Sequence, residues 1–543
     1  MKKNLKLLSV VAITGAMTIT GCTAQGEDEH IDKTKAQLTV LTYDGGVGDE
    51  WLNKAARAFE ALHSEDTGYQ DGKVGVQIRV TKQRVGGDTL KDSDLTKDMY
   101  FTENVNYFTM RNKNKMLDIT DVLTAENPND NNKRIIDKID SNLLNFMNSD
   151  GKYYAVPFYD CIYGLFYDKD LFMEESFYVT DEDPETGEIS FTSDPLEFGK
   201  GPNNIAGDWD DGLPKTYDQF KLLLAQIRNA QMYPYTYVTN KNMQEYMERA
   251  LMSYWSDDEG LEQTNLNYTF DGLATDIVTS FNNKTPVTES VQITKENGYL
   301  LRKEAGIYNS LYFADEILNE KSQNYVEVSD VKAAQLQFVA GGYKSGTKNV
   351  AMIFEGTWWQ NEAVEAFKSA EKYGRESFNF GIMPIPKSSD TKVGEDATFL
   401  NLNASYGFIN PKVKNKQLAK DFLAYLHEDA QLKAFTLETG MTRALNYTMD
   451  EEEYAELSTF TKDLIAIKQS EHANLIYPYS GEKFVNDNPD TFDSTKWVFS
   501  TKDKGTNPVA TFHDYKSFTA KEYFQQHYNL ISESNWKKII NVK

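Results

Sequence analysis

Residues 37–43, QLTVLTY, run into the turn-forming DGGVG, and then Leu52, Ala55, Ala56, Phe59 and Leu62 recur at helical spacing. Next Val74, Val76, Ile78 and Val80 alternate strictly with Gly75, Gln77 and Arg79. The hydrophobic period thus changes from about two to about 3.6 and back, which spells strand, helix, strand. A helix between two strands is the usual crossover joining parallel neighbours, so the chain opens on a parallel α/β unit.

Further along, the alternation persists. Asp150-Gly151 marks a turn before the strand-like Tyr153 to Val156. Thr216 to Gln219 has the form of a capping box, and Phe220, Leu223, Leu224 and Ile227 follow on one helical face. Helical patterns occupy roughly 243–255, 298–319, 329–340, 416–427 and 429–439. Residues 173–215 are acidic, glycine-rich and weakly patterned, and read as an inserted loop. The tail after about 480 is irregular, with Trp497 and Phe499 available to dock it.

The first 22 residues, MKKNLKLLSVVAITGAMTITGC, form a basic start, an apolar stretch and a small-residue site ending in cysteine. This layout is a secretory signal and resembles a bacterial lipoprotein signal peptide, in which Cys22 receives the lipid and becomes the mature N-terminus. Residues 23–36 are polar and unpatterned, a flexible tether. No later stretch approaches the roughly 18 apolar residues of a membrane span. The expected location is therefore the extracytoplasmic face of the cell membrane, held by a lipid anchor at Cys22 and otherwise soluble. Cys161 is the one cysteine left in the mature chain, so an intramolecular disulfide is excluded. The net charge of −25 disfavours nucleic acid and anionic lipid as partners.

Residues 351–363, AMIFEGTWWQNEA, set two large rings side by side after a glycine turn. Neighbouring side chains point in different directions, so one core does not easily take both. This stretch resembles, with three others, the extracellular solute-binding proteins of ABC transporters, in the sugar-binding branch that includes maltose-binding protein. The other three are LTVLTYDGGVGDEWLNKAARAFE (38–60), YYAVPFYDCIYGLFYDKDLF (153–172) and ASYGFINPKVKNKQLAKDFLAYLHEDAQLKAF (404–435). The resemblance implies an α/β, two-lobe periplasmic-binding-protein-like (type II) fold with hinge crossings near 158–163, 349–354 and 408–411. It divides the chain into an N-terminal lobe, 37–158 plus 350–410, and a C-terminal lobe, 160–349 plus 411–543. It also implies a monomeric receptor that captures an oligosaccharide between the lobes and delivers it to ABC transporter permease subunits. Asp168 stands where relatives commonly have asparagine.

Ligands of open α/β sheets sit beyond the carboxyl ends of the strands. A sugar offers an apolar face for a flat ring and a hydroxyl rim for charged groups. Asp44, Asp160, Glu355 and Arg443 are the rim candidates, and Tyr43, Trp51, Tyr159, Trp255, Trp358 and Trp359 the stacking candidates. Trp51 lies on an amphipathic helix and reads as core. One of Trp358 and Trp359 is expected to pack inward while the other faces the cleft, and Arg443 has a structural reading beside its functional one.

Gly201 to Gly212 places Asp208, Asp210 and Asp211 around glycines, as calcium loops do, but lacks the full D-x-D-x-D-G and the glutamate at position twelve. Because that spacing is incomplete, a solvated loop is the preferred reading and calcium the alternative. No signature of a nucleophile, zinc site, phosphate loop or dinucleotide site is found, so no catalytic residue and no cofactor is expected beyond that calcium candidate. Two other functions stay open on the residues alone. One is a surface glycoside hydrolase or lyase using the same aromatic cleft. The other is the same receptor fold binding a peptide or polyamine.

Overall fold

The computed structural model describes residues 31–541 except 86–89, 104, 240–244, 320–323, 403–404, 479, 493, 503–506 and 515–517. The signal, Cys22 and most of the expected tether lie outside the described residues.

Two five-stranded sheets share one plan. In the first, Ala36–Tyr43 runs parallel to Val76–Gln83 on one side and to Met99–Thr102 on the other. Tyr406–Ile409 then pairs antiparallel with Met99–Thr102 and with the edge strand Val156–Pro157. In the second, Tyr325–Val328, Tyr233–Val238 and Val350–Gly356 are parallel. Tyr163–Asp168 runs antiparallel between Val350–Gly356 and Phe380–Met383. Each sheet is therefore a parallel core extended by a reversed strand that arrives from the other lobe. The opening unit has the predicted order. Helix Glu50–Leu62 buries Trp51, Leu52, Ala55, Ala56 and Phe59, while Leu62 stands exposed at its end.

The lobe boundaries differ from those the resemblance implied. Val350–Gly356 is buried along its whole length and hydrogen-bonds to Tyr233–Val238 and Tyr163–Asp168. It is an inner strand of the second sheet, not a crossing, and Phe380–Met383 belongs there too. Helices Lys416–Tyr425 and Asp429–Thr439 cover the first lobe instead, with Phe422 and Phe435 packed on Phe59 and Trp51. The chain returns to the second lobe before Phe460, which stacks on Phe380 at 4.7 Å. The three crossings thus lie at 157–163, between 383 and 406, and between 439 and 460. An apolar run buried on both faces carries no periodicity that would reveal which sheet it joins.

The inserted segment is folded. Tyr178–Val179 pairs with Phe191–Thr192, and the Tyr178 ring stacks on Phe198 at 4.2 Å. Thr216 caps helix Tyr217–Asn229 by accepting the Gln219 N–H, whereas the Gln219 side chain accepts from Lys215 rather than closing the capping box. Asp168 caps Lys169–Glu174 and receives the Arg375 guanidinium at 2.6 Å. The tail is more helical than its pattern indicates, with short helices from Lys483–Asn486 to Glu533–Ile540. Trp497 docks it as expected, inside a ring cluster with Phe270, Phe484 and Trp536, and Phe499 is fully buried. Arg302 holds it by donating to the carbonyls of Trp497, Ser500 and His527. Among the described residues no helix is long and apolar enough to cross a membrane.

Candidate functional site

A cleft of about 1130 Å³ opens between the lobes. Its first wall comes from residues at or just beyond strand ends. Tyr43 ends the first strand and Asp44 follows it, Arg84 follows the strand Val76–Gln83, and Glu103 the strand Met99–Thr102. Tyr163, Tyr246, Arg249, Trp358 and Glu362 form the facing wall.

Two glycines shape it. Gly46 has φ +52°, and a Cβ there would fall 2.5 Å from the Tyr159 hydroxyl and 2.6 Å from a Glu103 oxygen. Its N–H donates to Glu362 of the opposite lobe at 3.2 Å, so the loop touches both walls. At Gly356 a Cβ would meet the Trp358 ring at 2.2 Å. The missing side chain lets that indole fold back over the strand end, edge-on to Tyr163 at 4.9 Å.

The doubled tryptophan is thereby split. Trp358 lines the cleft with a small exposed edge, 4% of its surface. Trp359 is fully buried against Phe380, Phe367 and Phe338 in the second lobe and does not reach the cleft. Adjacent positions on a turn entering a helix must diverge, so one ring anchors and the other faces out.

The remaining candidates separate in the same way. Tyr43, Asp44 and also Trp51 line the cleft. Trp255 is core, donating its indole N–H to Glu304 at 3.1 Å. Glu355 is buried behind the wall, where it accepts from Gln335 and the Gly356 N–H. Tyr159 is buried beneath Gly46 and donates its hydroxyl to Glu103. Cys161, next to it, is sealed in, and burial pushes its thiol up.

Asp160 and Arg443 are hinge residues. Asp160 receives Lys468 at 2.7 Å, the Thr442 hydroxyl at 2.8 Å and the Tyr477 hydroxyl at 3.1 Å. Its own N–H donates to the Thr442 carbonyl, and Leu402 donates to the Cys161 carbonyl, so all three crossings are laced together here. Arg443 is fully buried, donating to the Phe158 carbonyl at 2.5 Å and lying against Trp51, Phe158 and Phe435. Sequence position at the first crossing drew attention to Asp160, and Arg443 was a rim candidate with a structural alternative, but only their depth reveals that they hold the hinge.

Electrostatically the cleft mixes signs. Burial pushes Glu103 up to about 7, with the Tyr159 hydroxyl opposing. Burial also raises Glu362, with the Gly46 N–H and Arg84 opposing, and raises Glu355 to about 8. Arg84 lies over the Tyr43 ring at 5.7 Å, and Arg249 donates to the Tyr163 hydroxyl at 2.7 Å. The strand-end rule applied to the second and third strands reaches Arg84 and Glu103, which the reading of the first strand alone passed over. Tyr246 and Arg249 come from a helix whose approach to the cleft is purely tertiary.

Away from the cleft, Asp208, Asp210 and Asp211 bring carboxylate oxygens within 4.8 Å of one another. Burial, with Asp208 alongside, pushes Asp210 up to about 9.

Two α/β lobes, three crossings and an interlobe cleft define a hinged binding protein of the periplasmic type. The sequence pattern of the family described as bacterial extracellular solute-binding protein matches residues 50–433, and the chain belongs to that family. Membership makes it a binding protein rather than an enzyme and places it outside the cytoplasm. No curated protein matches the chain. Solved structures share the fold at low identity. The cyclic alpha-maltosyl-1,6-maltose binding protein from Arthrobacter globiformis has 14% identity and a TM-score of 0.50, over 94% of this chain and all of its own. A chitin oligosaccharide binding protein has 13% identity and a TM-score of 0.52, over 92% of this chain and 99% of its own. The GacH receptor of Streptomyces glaucescens, also solved with acarbose, has 13% identity and a TM-score of 0.50 over 94% of this chain and all of its own.

Proposed function

We propose that the chain is the lipid-anchored receptor of an ABC transporter, capturing an oligosaccharide in the interlobe cleft and passing it to membrane permease subunits. The observation that carries this reading is the pairing of rings and charges on the cleft walls. Tyr43 contributes a ring and Trp358 and Tyr163 small apolar ring edges to the walls, while Asp44, Arg84, Arg249 and Glu362 stand beside them as hydroxyl partners. The cleft has room for several sugar rings, being just above the usual range of roughly 300–1,000 Å³ for ligand pockets. Three structures sharing the fold are binders of oligosaccharides or of acarbose by their own descriptions. A ligand that touches both walls only when the lobes approach favours the closed form by that extra affinity, which gives a permease a signal of loading.

A melting-temperature panel of malto- and chito-oligosaccharides, peptides and polyamines tests the ligand class. An oligosaccharide should raise the melting temperature markedly, since ligand binding stabilises the folded state by mass action. A shift with polyamines alone would replace the sugar reading with a cationic one drawn to Glu103 and Glu362. For the anchor, Cys22→Ser should release the protein from the membrane fraction into the medium.

A further inference from the structure

Residues 201–212, GPNNIAGDWDDG, close the inserted segment just before Thr216, the cap of helix Tyr217–Asn229. The loop is fixed at both ends. Gly212 donates to the Gly199 carbonyl and accepts from Val179, while the Pro202 carbonyl accepts from Gly394. Trp209 packs on Phe399, close to the second crossing.

Within it the carboxylates of Asp208, Asp210 and Asp211 converge. Asp210 is fully buried; its Oδ2 accepts the Asn203 N–H at 3.0 Å, and its Oδ1 has no hydrogen-bond partner. Asp211 repeats the pattern, with Oδ2 taking the Gly207 N–H at 2.6 Å and a buried Oδ1 left unpaired. Asp208 accepts from Asn203 and from the Asp210 N–H. Among the described residues no lysine or arginine forms an ion pair with any of the three, and Lys215 close by is taken up by Asp181 and Asn204. Gly201 presses against this group, for a Cβ there would fall 2.5 Å from the Asp210 carboxyl carbon.

A buried carboxylate oxygen without a donor, set among like charges, is costly unless something positive meets it. The donors are all oxygens, with no histidine or cysteine among them, which selects a hard cation. A group of three carboxylates without a fixed octahedral frame suits the larger, more tolerant coordination of calcium better than the strict octahedron of magnesium. We infer that this loop holds a calcium ion through Asp208, Asp210 and Asp211, and that the ion fastens the inserted segment to the second lobe. The ion is structural, sits apart from the cleft, and is independent of which solute the cleft takes.

Trp209 stands between two of the ligands and provides the probe. In the full chain stripped with chelator, terbium should luminesce when tryptophan is excited, and calcium should displace it. Millimolar calcium should raise the melting temperature of the stripped protein by several degrees, with magnesium giving less. Asp210→Asn should lose both effects, and Asp211→Asn, at a half-exposed position that tolerates change, should weaken calcium at least tenfold. Identical melting with and without calcium in the stripped wild type, together with no sensitised terbium emission, overturns the inference. So does a calcium shift that survives intact in Asp210→Asn.

Discussion

Trp358 and Trp359 are chemically identical and adjacent, yet the fold gives them opposite tasks, and substitution should separate them. Trp359→Ala empties a cavity among Phe380, Phe367 and Phe338 and should cost about 3–5 kcal/mol in denaturant unfolding. Trp358→Ala should leave stability closer to wild type and weaken the cognate ligand roughly tenfold or more by calorimetry. Glu103 supplies a pH prediction. An ordinary glutamate titrates near 4.5, whereas burial holds this one near 7. The unfolded chain therefore gives up the proton first as pH rises, and stability falls through the window between those values. Glu103→Gln keeps an acceptor for the Tyr159 hydroxyl and should flatten that part of the stability–pH curve.

At the scale of elements, the hinge rests on one knot. Asp160 joins the first crossing to Thr442 in the third and to Lys468 and Tyr477 of the second lobe. Asp160→Ala strands a partly buried lysine and two hydroxyls around a buried site and should cost about 3 kcal/mol, measured by chemical denaturation. Elements with one polar face were legible in the sequence. The strand Ala36–Tyr43, the helix Glu50–Leu62 and the paired helices Lys416–Tyr425 and Asp429–Thr439 fall close to where periodicity puts them. Val350–Gly356 was legible as a strand but not in its membership, because both its faces are buried. The tail escaped because helices of four to nine residues, such as Lys483–Asn486 and Ala520–Tyr528, are too short to display a period.

Across the whole molecule, the two sheets and the family were within reach of the sequence, since four motifs in order constrain a topology more than any one of them does. The cleft was reachable only in part. Tyr43, Asp44 and Trp358 follow from the rule that ligands lie beyond strand ends. Tyr159 and Asp160 obey the same rule but lie a layer too deep for it to distinguish them from the wall, and Arg443, equally buried, follows a helix and is outside the rule. Depth is a tertiary property, set by helices such as Asp429–Thr439 that arrive late in the chain. The most direct test of the two-lobed receptor is the distance between spin labels at Leu62 and Tyr373, exposed positions on opposite lobes. The native Cys161 is sealed and stays unlabelled in a chain beginning after Cys22. Adding the oligosaccharide that raises the melting temperature should shorten and narrow the distance distribution, while non-binding sugars leave it alone. A distribution unchanged at saturating oligosaccharide would contradict closure of the lobes around a sugar.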